Sequence, residues 1–200
     1  MARETTVLKL GPDDAGMRLT AEEFASADFQ ELYQYERVKG RLVVMAPAGP
    51  EHRKVSRPFR RELGGYWQQH PDVVEDVDVE GWVTTGPDED RIPDICVYLM
   101  DSSDTEIPNR VPDMIFEFVS ESRVNQEHDY IHKRAEYYAI GVKEYVIVDR
   151  FKHIVLVLTW KEDEYIERAL RPGDTYTTPM LPGLEVSLRN VFGHIPPACE

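Results

Sequence analysis

Residues 114–119 read Met-Ile-Phe-Glu-Phe-Val, a near-continuous apolar run broken by one carboxylate, Glu117. A run of this kind marks a buried central strand, so the chain must build a sheet with covered faces. The runs at 92–99 and 144–149 have the same character, and 153–160 is a fourth. Residues 76–80 alternate Asp-Val-Asp-Val-Glu, the pattern of a half-buried strand. Shorter strands are expected at 165–170 and 184–188, with Pro172-Gly173 and Pro182-Gly183 as turns. The stretch 35–45 reads as a hairpin turning at Lys39-Gly40.

Helical signals fall between these runs. Thr20 and Glu23 make a capping box ahead of Phe24. Over 51–69, Val55, Phe59, Leu63 and Trp67 recur every four residues as a buried stripe, and Arg53, Arg57, Arg60 and Arg61 fall on another face. Pro58 either kinks this helix or sits in its first turn with Ser56 as the cap. A further helix is expected over 125–140, stopped by Gly141. Residues 1–19 are polar and read as a loose N-terminal arm, and 193–200 as a tail. Residues 20–192 then form a single α/β domain, a mixed sheet flanked by helices. Two hundred residues suit one domain with a sizeable core.

Bulk properties narrow the function classes. No apolar run approaches the roughly 18 residues of a membrane span. The start lacks a charged-then-apolar leader pattern. Cys96 lies in an apolar run and Cys199 near the end, so a structural disulfide is not expected and a reducing, cytoplasmic setting fits. No Cys/His spacing points to zinc. The net charge of -14 argues against a polyanion partner, but the charge is uneven. Residues 71–90 hold eight acids and no Lys or Arg, whereas 53–61 hold Arg53, Lys54, Arg57, Arg60 and Arg61. That strip reads either as a solvated helix face or as a contact for a phosphate backbone.

Three positions carry chemistry. Asp94 heads one apolar run, Glu117 lies within another, and a carboxylate in either place is costly unless paired or metal-bound. Lys133 sits at a spacing of four from both Asp129 and Tyr137, which puts the three on one helix face. Two carboxylates on neighbouring strands and a lysine suit a Mg²⁺-assisted phosphodiester hydrolase. The blander readings are a turn acid for Asp94 and an exposed ion pair for Lys133. His52, at the head of the basic helix, reads as a metal ligand or base, or as a surface histidine. No Gly-x-Ser-x-Gly turn surrounds Ser120 or Ser122.

The order of these pieces resembles the Uma2 family of the PD-(D/E)xK nuclease superfamily. The resemblance runs from about Thr20 to Phe192, through 35–45, His52, Pro93-Asp94, 112–120, Asp129, Lys133, Tyr137, 141–149 and 181–184. It implies a restriction-endonuclease-like fold and a Mg²⁺ site (Mn²⁺ as substitute) built from Asp94, Glu117 and the Phe118 carbonyl. Asp129 and Tyr137 are implied as supports around it. The lysine the superfamily places two residues after Glu117 is Val119 here, and Lys133 fits its migration to the following helix. The reading that follows is an endonuclease acting on DNA, possible as a homodimer. The rival is a non-catalytic binding module on a nuclease fold, which gains if the Lys133 amine lies far from the carboxylates. Hydrolysis of another phosphoester is a third reading.

Overall fold

The computed structural model describes residues 7–100, 107, 110–120 and 128–193, without the side chains of residues 128 and 129. These residues group into two compact units: residues up to Ala48 with Trp82–Ile92, and Gly49–Gly81 with residues from Pro93 onward.

The first unit holds β1 (Lys9–Leu10), α1 (Ala21–Ala25), β2 (Asp28–Phe29), β3 (Gln34–Val38), β4 (Arg41–Met45), and two later strands, β6 (Val83–Gly86) and β7 (Glu89–Arg91). The expected hairpin is β3 and β4, with Val38 opposite Arg41. Lys39 and Gly40 both have positive φ, 52° and 67°, as a two-residue hairpin turn requires. The capping box forms: Thr20 accepts from the Glu23 N–H at 3.1 Å, and Glu23 accepts from the Thr20 N–H at 2.8 Å. The expectation of a loose arm over 1–19 fails for its described part. Lys9–Leu10 pairs in parallel with Asp28–Phe29, and Leu10 and Leu19 are buried beside Phe24, Tyr35 and Leu42. Two leucines were enough to anchor a stretch that otherwise reads as polar.

β7 was not expected, because its residues are Glu, Asp and Arg. They are buried by mutual pairing. Arg37 donates to Asp90 at 2.7 Å, and Arg91 to Glu36 at 3.0 Å. Asp90 also accepts from Trp82 Nε1 and the Thr84 hydroxyl. Satisfied on every side, these charges meet the condition under which ions enter a protein interior.

The second unit is built on a six-stranded sheet. In chain order its elements are α2 (Pro50–Gln69), β5 (Val74–Val79), β8 (Ile95–Leu99), β9 (Met114–Phe118), α3 (Lys133–Ile140), β10 (Glu144–Asp149), β11 (Ile154–Lys161), β12 (Glu164–Leu170), β13 (Thr175–Tyr176), β14 (Val186–Ser187) and α4 (Leu188–Phe192). The strand order is β12-β11-β10-β9-β8-β5. Only β9 and β10 run parallel, and a parallel pair needs a crossover, which α3 supplies.

Alternation along the strands sets the two faces. Ile95, Val97, Met114, Phe116, Phe118, Val146, Val148, Val155 and Val157 pack with Val55, Phe59, Leu63 and Tyr66 of α2. Ile115, Glu117, Tyr145 and Ile147 alternate to the other face, where Tyr137 of α3 meets Tyr145 edge-on at 5.0 Å.

Several expectations need correction here. The α2 stripe takes Tyr66, and Trp67 is only partly buried. α2 starts at Pro50 with Gly49 as N-cap, so Ser56 is not the cap and Pro58 lies inside the helix. Residues 128–132 form a π turn before α3, and residues 125–127 of the expected helix lie outside the described residues. At the far end, Leu188 opens α4 rather than ending a strand. Among the described residues no helix is long and apolar enough to cross a membrane.

Glu144 gives the fold a pH signature. It is buried and accepts from the hydroxyls of Tyr176 (2.6 Å), Thr178 (3.1 Å) and Thr159 (3.3 Å). Burial raises its pKa, and the hydroxyls only partly offset this, so the net direction is upward from 4.5. A raised carboxyl pKa means the folded state holds the proton longer than the unfolded state. Stability from this group is present below pH 4.5 and is lost as pH rises through the folded value. Melting temperatures of Glu144→Gln should therefore fall less than those of the wild type across that window.

Candidate active site

Glu117 sits on β9, the strand shared by the parallel and antiparallel parts of the sheet. The residue is 4% exposed. Alternation points it at α3, where Lys133 Nζ donates to Oε1 at 2.8 Å and the Tyr137 hydroxyl donates to the same oxygen at 2.9 Å. Lys133 and Tyr137 are one helical turn apart, so one face of α3 carries both donors. The Lys133 amine thus reaches Glu117 from the crossover helix, on the side of the sheet that Glu117 faces. The π turn takes Asp129 off this α-helical spacing, and its side chain lies outside the described residues.

Asp94 lies in a bend just before β8, following Pro93. Ile95 pairs with Phe116, so Asp94 stands one position beyond the last ladder pair, across from Glu117. There the Phe118 N–H has no backbone acceptor on β8, and Asp94 Oδ2 takes it at 2.8 Å. The carboxylate thus extends the ladder where the two strands part.

His52, in the first turn of α2, approaches the same carboxylate. Its Nε2 lies 3.3 Å from Oδ2 and 3.2 Å from Oδ1 of Asp94. The ring meets Phe118 edge-on at 5.7 Å. Burial pulls the His52 pKa down, whereas the hydrogen bond and charge of Asp94 push it up. Arg150 opposes protonation, the Phe118 backbone favours it, and the net direction is upward.

The sequence-predicted residues therefore form two adjoining groups. One is Glu117, Lys133 and Tyr137, and the other is Asp94, His52 and the Phe118 backbone. Glu117 and Phe118, neighbours on β9, join them. Arg53, Lys54, Arg57 and Arg61 are exposed on α2, Arg60 is half-buried, and Arg61 pairs with Glu62.

Arg150 was missed by sequence reasoning. It follows Asp149 at the exit of β10, its Nε is buried without a hydrogen-bond partner, and its charge acts on His52. The available signal was a cation directly after an apolar strand parallel to the Glu117 strand.

The donor set is one of hard oxygens. Among the described residues no three His, Cys, Asp or Glu side chains are grouped as a metal site. Mg²⁺ does not need three, since it keeps several waters and uses one or two carboxylates. The Cys96 thiol is buried in the same sheet. Burial pushes its pKa well above the ordinary value, and Glu117, Asp78 and Asp94 push it further in that order. The candidate donors, Asp94 and Glu117, are hard carboxylate oxygens at facing positions of neighbouring strands, and chemically such donors suit a hard divalent ion.

A mixed sheet bearing acids at adjacent strand ends, with helices over it, belongs to the nuclease-like α/β class. The family model described as "Putative restriction endonuclease" matches residues 21–189, and the chain belongs to that family, Uma2. A solved structure from Anabaena variabilis ATCC 29413, described as "a putative nuclease belonging to DUF820", shares the fold. It is 18% identical with a TM-score of 0.67, over 87% of this chain and 97% of that one. No curated protein matches.

Breaking the buried pair should be costly. Lys133→Met leaves Glu117 charged and without its cation, and should lower unfolding free energy by about 3–5 kcal/mol. Lys133→Met with Glu117→Gln should recover most of that. Urea unfolding of the two variants measures both, and a double variant as unstable as the single one would show that the loss is packing rather than charge.

Proposed function

We propose that the protein is a divalent-metal-dependent endonuclease that hydrolyses DNA phosphodiesters at this site. The observation that carries the reading is the Lys133 amine, 2.8 Å from the Glu117 carboxylate inside the covered sheet. The non-catalytic rival gains if the Lys133 amine lies far from the carboxylates, and the 2.8 Å contact counts against it. A buried ion pair is weak evidence for stability and a better pointer to chemistry.

Asp94, Glu117 and the Phe118 carbonyl would hold Mg²⁺, with Mn²⁺ as a substitute. The bound ion would supply Lewis-acid polarisation of the phosphoryl oxygen and a lowered pKa for water. The chain's own groups do the rest. Lys133 orients the attacking water and stabilises the negative charge on the phosphoryl oxygens as the new P–O bond forms and the ester P–O bond breaks. Tyr137 fixes the Glu117 carboxylate by its 2.9 Å hydrogen bond. His52 fixes Asp94 and is placed to move a proton. Asp129, the other support expected around Lys133, has its side chain outside the described residues. The basic strip of α2 continues from His52 and would meet the phosphate backbone. Cleavage of both strands would use two copies of the chain, as a homodimer. The free, buried Cys96 thiol suits a reducing cytoplasm.

The test is nicking of supercoiled plasmid by purified protein as Mn²⁺ or Mg²⁺ is titrated. Asp94→Ala and Glu117→Ala should abolish cleavage and metal binding. Lys133→Ala should slow cleavage by roughly 10²–10³ while metal still binds. An active Glu117→Ala variant would sink the assignment.

A further inference from the structure

The exit of β10 presents a cation, Arg150, on a backbone held in place. Asp149 is fully buried, and its Oδ1 accepts from the backbone N–H groups of Phe151 (2.8 Å) and Lys152 (2.9 Å). This side-chain turn locks the backbone on either side of Arg150. The Tyr130 hydroxyl holds the other oxygen of Asp149 at 2.8 Å. The Arg150 guanidinium lies over the Phe151 ring, 4.5 Å from its centroid. Among the described residues no carboxylate pairs with it, and Nε is buried with no hydrogen-bond partner. In a chain with 37 acidic residues against 23 Lys and Arg, a buried guanidinium N–H without an acceptor calls for a reason.

Its place in the sheet supplies one. β10 runs parallel to β9 with Val148 opposite Phe118. Arg150 therefore leaves the sheet at the same carboxyl end as Glu117 and Phe118, the end where ligands of parallel strands bind. Its charge reaches His52, which contacts Asp94. Asp94, Glu117 and Lys133 are arranged around that end for phosphoryl chemistry, and the planar fork of arginine matches two phosphoryl oxygens.

We infer that Arg150 is a substrate-binding residue that grips a phosphoryl oxygen of the nucleic-acid backbone beside His52. This rests on the nuclease reading above. Phe151 and the Asp149 turn hold the guanidinium in place before substrate arrives, so little side-chain freedom is lost on binding.

The Nε–H resonance of Arg150, assigned by its loss in Arg150→Lys, reads the contact in the full chain. Inorganic phosphate and, separately, a short DNA duplex without divalent metal should each shift it. Arg150→Gln should bind the duplex roughly tenfold more weakly, with the slope of log affinity against log salt reduced by about 1. A resonance unmoved by both additions overturns the inference, whatever the plasmid assay shows. A response to phosphate but not to duplex overturns the backbone assignment in favour of a small phosphoryl ligand. A response to both, in a protein that never nicks plasmid with Mn²⁺, upholds the Arg150 contact and rejects the nuclease reading instead.

Discussion

A carboxylate inside a covered sheet has to be answered, and the answer organises the second unit. Glu117 sits on a strand with neighbours on both sides and helices on both faces. Left alone, its charge would cost far more than one domain's margin of stability allows. Lys133 and Tyr137 converge on one of its oxygens, which fixes where α3 crosses the sheet. The crossover is set by the same requirement, since β9 and β10 are parallel and need a helix between them. Gly141, at φ 91°, ends that helix so that β10 can begin three residues later. One turn of α3 thus serves both topology and electrostatics.

Asp94 does comparable work at the edge of the ladder. By accepting from the Phe118 N–H, it substitutes for the backbone where β8 and β9 part. The same carboxylate meets His52 of α2, the helix on the opposite face from α3. Side chains from both covering layers therefore reach β9 at adjacent residues. Glu117 lies within β9, and Asp94, in the bend one residue before β8, is tied to the ladder by the Phe118 N–H, so both are held by the sheet, as a site needing fixed geometry requires.

What could be read in the sequence follows from how each charge is buried. The apolar runs declared β8, β9, β10 and β11, and Glu117 stood out because nothing around it was polar. Lys133 and Tyr137 were legible as one helix face. Buried ion pairs were not. Arg37, Asp90, Arg91 and Glu36 lie in strands that hydropathy treats as solvent-facing, because each partner is supplied by a distant stretch of chain. Lys9–Leu10 was lost for a related reason, since two residues of strand carry no period. Arg150 was passed over because a single cation after a strand has no pattern at all; its meaning comes from the parallel pairing that sets it at the end of the sheet beside Glu117.

The acidic balance of the chain and a polyanionic substrate are compatible once distance is considered. Charges more than about 8–10 Å apart are screened in physiological salt. A phosphate at the strand ends therefore responds to the groups around it and only weakly to the total of -14. Those groups are Lys133, Arg150 and the exposed Arg53, Lys54 and Arg57 of α2, set against Asp94 and Glu117. Their balance is already positive, and a divalent ion on the two acids would make it more so. Arg37 and Asp90 also show that part of the acid count is spent on internal pairs rather than on the surface. Net charge thus weighs on long-range approach and solubility. The proposed chemistry would be set within the few residues that β9, β10, α2 and α3 bring to one end of the sheet.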